Sequence, residues 1–167
     1  EEANKYYKMA IKNDSKNSSA MYQLATNLNN GNGIEKDVIE ANRLFKNSAD
    51  LGNTRAMCSL AYNLQKGIGG PQNIEMANKY YKMAAEQRYP VAMYNYASNL
   101  ESGNEVDKNI EEANKYYKMA ADLGNSNAQY CYAMNLIKGN GCQIDIELAN
   151  KYLKKSCDQK NQRAQYQ

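Results

Sequence analysis

"EEANKYYKMA" occupies residues 1–10 and returns letter for letter at residues 111–120. A ten-residue recurrence of this kind is the mark of tandem duplication, and it sends the reading outward in search of a period. Relatives of its core begin at Ala3, Ala41, Ala77, Ala113 and Ala149, with "ANRLFKNS" as the most divergent copy. A second series is stricter. Ala20, Ala56, Ala92, Ala128 and Ala164 are each thirty-six residues apart, and Gly31, Gly67, Gly103 and Gly139 keep the same step. The first interval of the "ANKYYKMA" series is two residues longer, and the extra length falls in "IKNDSKNSS".

Each period reads as two helices. In the first, Ala20, Met21, Leu24, Ala25 and Leu28 fall on one arc of about 140° at 100° per residue. Asn17, Asn53, Asn125 and Asn161 stand where an N-cap is needed, and Tyr89 followed by Pro90 takes that place in the third unit. Gly31 and its copies supply the left-handed residue that ends the helix. The second helix is expected to start after Asp37, Asn73, Asn109 or Asp145, each a capping residue. Its apolar arc is expected to hold Ala3, Tyr6, Tyr7 and Ala10, with Asn4, Lys5 and Lys8 opposite. Such a pair cannot bury its apolar face alone, so the units are expected to stack.

Composition fits a thin, stacked structure. The 167 residues include fifteen Tyr, one Phe and no Trp, and the tyrosine hydroxyls need water or a partner. The net charge of +3 does not by itself call for nucleic acid or membrane. No apolar run reaches the ~18–20 residues of a membrane span. His is absent, which removes the commonest general base and metal ligand. Cys58, Cys131, Cys142 and Cys157 form no CxxC pair and, without His, no metal set is expected. That cysteine usage favours a reducing, cytoplasmic setting over a secretory one. Two glycosylation sequons at Asn13 and Asn17 speak weakly for the opposite.

These residues resemble the Sel1-like repeats, cousins of the tetratricopeptide repeats. Residues 20–52, "AMYQLATNLNNGNGIEKDVIEANRLFKNSADLG", match the family pattern at Ala20, Leu24, Gly31, Gly33, Asp37, Ala41, Ala49 and Gly52. The sequence departs from it where Ala25 follows Leu24, where Tyr or Leu replaces a Trp, at Glu105 and at Arg88. The resemblance implies an all-α fold, a right-handed α-α superhelix (solenoid) of about four and a half helix-pair repeats. The expected units are 1–16 (partial), 17–52, 53–88, 89–124, 125–160 and 161–167 (partial), one array and an excerpt of a longer chain. A subgroup of the family joins adjacent helices by a disulfide. Cys157 resembles one half, but the other half falls at Gln165, so the bridge is not expected here.

Function is sought on three surfaces. The glycine loops "GNGIEK", "GIGGPQ" and "GNGCQI" lack the GK[ST] of a phosphate cradle, and the repeat accounts for them. A basic stripe recurs on every second helix: Lys5 and Lys8, Arg43 and Lys46, Lys79 and Lys82, Lys115 and Lys118, Lys151 and Lys154. It offers nucleic acid or another anionic surface an alternative site. Glu1, Glu75, Glu111 and Glu147 stand four residues ahead of Lys5, Lys79, Lys115 and Lys151 and are expected to neutralise half of it. The third surface is a row of asparagines, Asn27, Asn63, Asn99 and Asn135, in all four complete first helices, where the family pattern asks for none.

In tetratricopeptide-like arrays the first helices line the concave groove. The asparagine amides could there grip a peptide backbone, with Gln23, Ser59, Asn95, Tyr62 and Glu101 supplying specificity. The competing role for the same asparagines is to bond loop carbonyls or the adjacent helix and hold units in register. The resemblance implies a non-enzymatic protein–protein scaffold that needs no cofactor, metal or small-molecule substrate and does not insert into membrane. A regulatory module attached to an enzyme domain elsewhere in the polypeptide is the third possibility.

Overall fold

The computed structural model describes residues 1–158 of the chain. The cap expected at Asn161 and the positions Ala164 and Gln165 lie outside the described residues. These residues fold into helices alone: α1 Glu2–Asn13, α2 Ser18–Asn30, α3 Val38–Asp50, α4 Thr54–Lys66, α5 Ile74–Glu86, α6 Pro90–Ser102, α7 Ile110–Asp122, α8 Ser126–Lys138 and α9 Ile146–Asp158. Even-numbered helices are the first of each pair and odd-numbered helices the second. The chain divides into two compact units, Glu1–Ala84 and Ala85–Gln167.

The local signals act where the sequence places them. Asn17 Oδ1 accepts the Ala20 N–H at 2.9 Å, Asn53 Oδ1 those of Arg55 and Ala56 at 3.1 Å, and Asn125 Oδ1 that of Ala128 at 2.9 Å. Each satisfies N–H groups that the first helical turn leaves open. Tyr89 provides no side-chain cap, and Pro90 at the start of α6 removes one of the donors instead. Second helices are capped by Asp37, Asn73, Asn109 and Asp145, each accepting the N–H three residues on at 2.8 to 3.0 Å. Gly31, Gly67, Gly103 and Gly139 end the first helices in the left-handed conformation.

In the first compact unit α2 packs on α3 and α3 on α4, and α1 packs on α2. In the second, α6 packs on α7, α7 on α8 and α8 on α9. Alanine recurs on the buried helix faces: Ala25, Ala41, Ala56, Ala61, Ala113 and Ala133 are among those with no exposed surface. Small side chains there let helix axes approach toward the short end of the ~8–10 Å range. Rings fill the space beside them, as in the edge-to-face pairs Tyr96–Tyr116 (5.1 Å) and Tyr132–Tyr152 (5.3 Å). Ser48 and Ser156 stand where other copies have alanine, and each hydroxyl donates back to the start of its own first helix, to Ser18 O and Ser126 O.

The second-helix arc differs from expectation at the asparagine and, in α1, at Ala3 and Tyr6. Asn4, placed opposite the apolar arc, is buried, as are Asn78 and Asn114. It lies only 100° from the alanine beside it, close enough for the adjoining first helix to cover it and hydrogen-bond to it. In α1, which has no helix before it among the described residues, Ala3 and Tyr6 are exposed.

The two glycine departures fall on the only non-glycine residues with positive φ among the described residues. Arg88 has φ 62° and Glu105 has φ 54°. The equivalents of Arg88, Gly52 and Gly124, are open to solvent, with nothing within 4 Å of a built Cβ. The copy of Glu105 at Gly141 is crowded: a Cβ there would sit 2.7 Å from Ile110 Cγ2 and 3.0 Å from its backbone carbon. Backbone shape therefore outlasts the glycine, at the cost of left-handed strain. Arg88→Gly is expected to raise stability by about 0.5–1 kcal/mol, since the strain exceeds glycine's entropic penalty. Gly141→Ala is expected to lower it by about 1–3 kcal/mol through strain and overlap. Urea unfolding of the two variants beside wild type measures both.

Candidate functional site

Three members of the asparagine row, Asn27, Asn63 and Asn135, lie in seams between helix pairs. Asn63, Asn99 and Asn135 are buried, at 3–5% exposure, and Asn27 is half-buried. The partners of Asn27, Asn63 and Asn135 are second-helix asparagines that a single apolar arc would turn outward. Asn27 Nδ2 donates to Asn4 Oδ1 at 2.7 Å, Asn63 Nδ2 to Asn42 Oδ1 at 2.7 Å, and Asn135 Nδ2 to Asn114 Oδ1 at 2.8 Å. Each second-helix amide then donates to the loop just past the following first helix: Asn4 to Asn32 O, Asn42 to Ile68 O and Asn114 to Asn140 O, at 2.7 to 3.0 Å.

The circuit closes through the backbone. The carbonyl of each first-helix asparagine accepts the N–H of that same loop residue: Asn32 on Asn27, Ile68 on Asn63 and Asn140 on Asn135. Two amides thus fasten the end of one first helix and its loop to the second helix of the preceding repeat. A hydrogen bond that fills both members of a buried polar pair avoids the desolvation penalty either would carry alone.

A second link runs through the position two residues beyond each row asparagine. Asn29 Oδ1 accepts from Asn63 Nδ2 at 3.0 Å, and Glu101 Oε1 accepts from Asn135 Nδ2 at 2.9 Å. Glu101 Oε2 accepts the Tyr117 hydroxyl at 2.9 Å, so both its oxygens are engaged inside the second compact unit. Gln65 plays the same part toward Tyr81, whose hydroxyl donates to its Oε1 at 3.3 Å. Burial pushes the Tyr81 and Tyr117 hydroxyls well above the ordinary phenol range, which keeps them as donors. Asn63 and Asn135 therefore use both amide hydrogens within the array.

The remaining candidates are placed differently. Gln23 is exposed, Ser59 and Asn95 are half-buried, and Tyr62 is 50% exposed. On α4, Arg55, Ser59, Tyr62 and Lys66 are spaced i, i+4, i+7, i+11 and make one outward stripe. The equivalent positions on α2 are Ser19, Gln23, Thr26 and Asn30. Their residue types change from repeat to repeat, whereas Ala20, Ala25, Asn27 and Leu28 recur in every copy. In the first compact unit a cleft of about 280 Å³ lies between the first turns of α2 and the start of α4, lined by Ser19, Tyr22 and Gln23 with Asn53, Thr54 and Arg55.

All ten side chains of the basic stripe are exposed. Lys79 pairs with Glu75 (2.8 Å) and Lys151 with Glu147 (3.0 Å). Among the described residues, the pairs expected at Glu1–Lys5 and Glu111–Lys115 do not form. Lys46–Asp50, Lys118–Asp122 and Arg43–Glu40 form instead. Exposed pairs gain only ~0–1 kcal/mol, so small local differences decide which partner a lysine takes. Asp122 also accepts the Tyr152 hydroxyl at 2.6 Å, linking α7 to α9. Burial acts to raise its carboxyl, but the hydrogen bonds from Tyr152 and Lys118 outweigh that and hold it below the ordinary carboxylate range. No helix among the described residues is long and apolar enough to cross a membrane.

Helix pairs of fixed length, repeated alanine contacts and a polar clamp that recurs within both compact units define an all-α tandem-repeat fold. The chain belongs to the Sel1 repeat family, whose repeat matches residues 1–15, 18–53, 54–89, 90–125 and 126–161. Its fold is similar to that of a Sel1 repeat protein from Oxalobacter formigenes, with 29% identity over 92% of this chain and 62% of that one, at a TM-score of 0.84. It is also similar to a protective antigen of uropathogenic Escherichia coli strains that displays an SLR fold, with 27% identity over 96% of this chain and 34% of that one, at a TM-score of 0.89. The chain thus spans less than two thirds of either relative. No curated protein matches it.

Asn135→Ala leaves Asn114 Oδ1 and Glu101 Oε1 without a donor and is expected to lower stability by about 1–3 kcal/mol. A double-mutant cycle with Asn114→Ala is expected to show coupling of about 0.5–3 kcal/mol; additive losses would remove the clamp from the account of stability. The Asp122 contact predicts acid sensitivity. The folded carboxyl binds its proton less readily than the unfolded one, so its stabilisation is present above pH ~4 and is lost as pH falls through the depressed folded value. Its half-exposed position limits the effect to less than about 1 kcal/mol. Urea unfolding at pH 5 and pH 3 is expected to show a smaller acid loss in Tyr152→Phe than in wild type.

Proposed function

We propose that the chain is a non-enzymatic interaction scaffold whose exposed first-helix face, as a concave groove, holds a peptide segment or helix of a partner protein. Sel1-repeat proteins are generally protein-interaction scaffolds, and their fold is typically non-catalytic. The observation that carries the reading is the contrast within each first helix. The Ala20, Ala25 and Asn27 positions keep one residue type in every copy, while the outward-turned positions hold Gln23, Ser59, Asn95 and Cys131 in one case and Thr26, Tyr62, Ser98 and Met134 in the other, with Gln23 and Tyr62 exposed. Close helix contact fixes the first set, whereas Gln23 and Tyr62 stand exposed to a ligand.

Asn27, Asn63 and Asn135 serve this surface by setting register between neighbouring repeats within each compact unit. Contact with the partner falls to Gln23, Ser59, Tyr62 and Asn95. Tyr62 is the favoured anchor, because a half-exposed tyrosine offers a large rigid apolar ring with a polar tip.

Affinity capture from native extract separates the roles. Gln23→Ala/Tyr62→Ala is expected to lose partners that wild type retains while melting within ~2 °C of it, since surface changes of this kind cost little stability. Asn63→Ala is expected to lower the melting point. An unchanged partner set for the exposed-face variant, together with losses in Lys82→Glu/Lys118→Glu, would move the interaction to the outer basic stripe.

A further inference from the structure

The charges of the two helix sets differ in kind. Among the described residues, the formal charges on α2, α4, α6 and α8 are Arg55, Lys66, Glu101 and Lys138. Glu101 is the one carboxylate, and both its oxygens already accept hydrogen bonds. Arg55, Lys66 and Lys138 are exposed, and none is in an ion pair among the described residues. The second helices carry both signs along their exposed faces, with Arg43, Lys46, Lys79, Lys118 and Lys151 paired locally. Every charge the first helices leave free is therefore positive, on the face where neutral and cationic residues replace one another between copies.

Within the first compact unit these charges have a defined spacing. Arg55 and Lys66 stand at the two ends of the α4 stripe, with Ser59 and Tyr62 between them. Eleven residues of helix separate the cations by about 16 Å. The cleft beside Arg55 continues the surface onto α2 through Ser19 and Gln23, which bring hydroxyl and amide groups and no carboxylate. A ligand laid along α4 meets a cation, an aromatic ring and a second cation in turn.

We propose that this α2–α4 face binds a protein segment bearing acidic residues, with carboxylates meeting Arg55 and Lys66 and an apolar or aromatic side chain on Tyr62. This deepens the scaffold reading and rests on it. An extended chain advances about 3.3 Å per residue, so the two carboxylates stand roughly four to six residues apart. Arg55 presents a planar fork suited to bidentate carboxylate contact, and Lys66 a compact point charge. The charges set partner choice and encounter rate, and the tyrosine supplies most of the buried contact.

The test is selection of a random dodecapeptide library on the immobilised full chain, followed by anisotropy titration of the enriched peptides, fluorescein-labelled, at ~0.1 M salt. The expected result is enrichment of Asp and Glu. Binding should weaken about tenfold or more in Arg55→Glu/Lys66→Glu and recover when the peptide's acidic residues are exchanged for lysine. Both substituted residues are exposed and outside any ion pair among the described residues, and a melting curve within ~2 °C of wild type checks that the variant is folded. Enriched peptides without acidic bias, binding that variant as well as wild type and losing affinity only in Tyr62→Ala, would overturn the charge preference and leave the groove reading standing. Acidic peptides that are competed off by heparin and lost in Lys82→Glu/Lys118→Glu would overturn it in favour of the outer stripe. No enrichment, or binding indifferent to every one of these substitutions, would overturn both readings.

Discussion

A pair of thirteen-residue helices has too little apolar surface to bury its own faces, and the structure follows from that constraint. Each pair must lend a face to the next, so the closest contacts fall between helices rather than in a deep core. Alanine takes these positions because its small side chain lets the axes approach. The tyrosines fill what remains, with their hydroxyls carried to acceptors such as Gln65, Glu101 and Asp122.

Close stacking of smooth alanine surfaces does not by itself choose a register. The asparagine clamp supplies that choice. A slip of one helix past another would separate Asn135 from Asn114 and leave buried amides without partners, a penalty that apolar contact cannot offset by sliding. The same seam explains how residues vary together inside the repeat. Tyr81 faces Gln65 and Tyr117 faces Glu101, while in the first complete unit Phe45 has no hydroxyl to place and Asn29 turns its oxygen to Asn63. A polar group at that position follows the need for an acceptor. With the seam made uniform in this way, the outward stripe is left to differ between copies, and function is sought there.

Much of this architecture is legible in the amino-acid sequence. Helix starts follow from Asn17, Asn53, Asn125 and the Asp or Asn ahead of each second helix, and helix ends follow from the recurrent glycine, because capping is decided within about four residues of chain. The Sel1 pattern and the first-helix arc are legible for the same reason. The partner of the asparagine row is not. Asn4, Asn42 and Asn114 lie twenty-one to twenty-three residues ahead of Asn27, Asn63 and Asn135. A single-helix projection places them beside lysines on the solvent side. Their strict recurrence in the "ANKYYKMA" copies is the available signal, since a solvent-facing asparagine has no reason to persist when its neighbours change.

The candidate site divides in a similar way. The sequence singles out both the asparagines and their variable neighbours, but it cannot tell a buried amide from an exposed one within the same helix turn. Glu101 shows why: read along α6 it is a free carboxylate, and only the approach of Tyr117 and Asn135 occupies its two oxygens. The ion pairs are equally beyond local rules, since an exposed lysine chooses among acids of nearly equal reach. The sequence by itself determined the repeat, the helices, their caps and the family, because each is written in short-range pattern and period. The tertiary structure decided which polar side chains face a neighbouring helix and which face water, because that depends on surfaces brought together from different repeats.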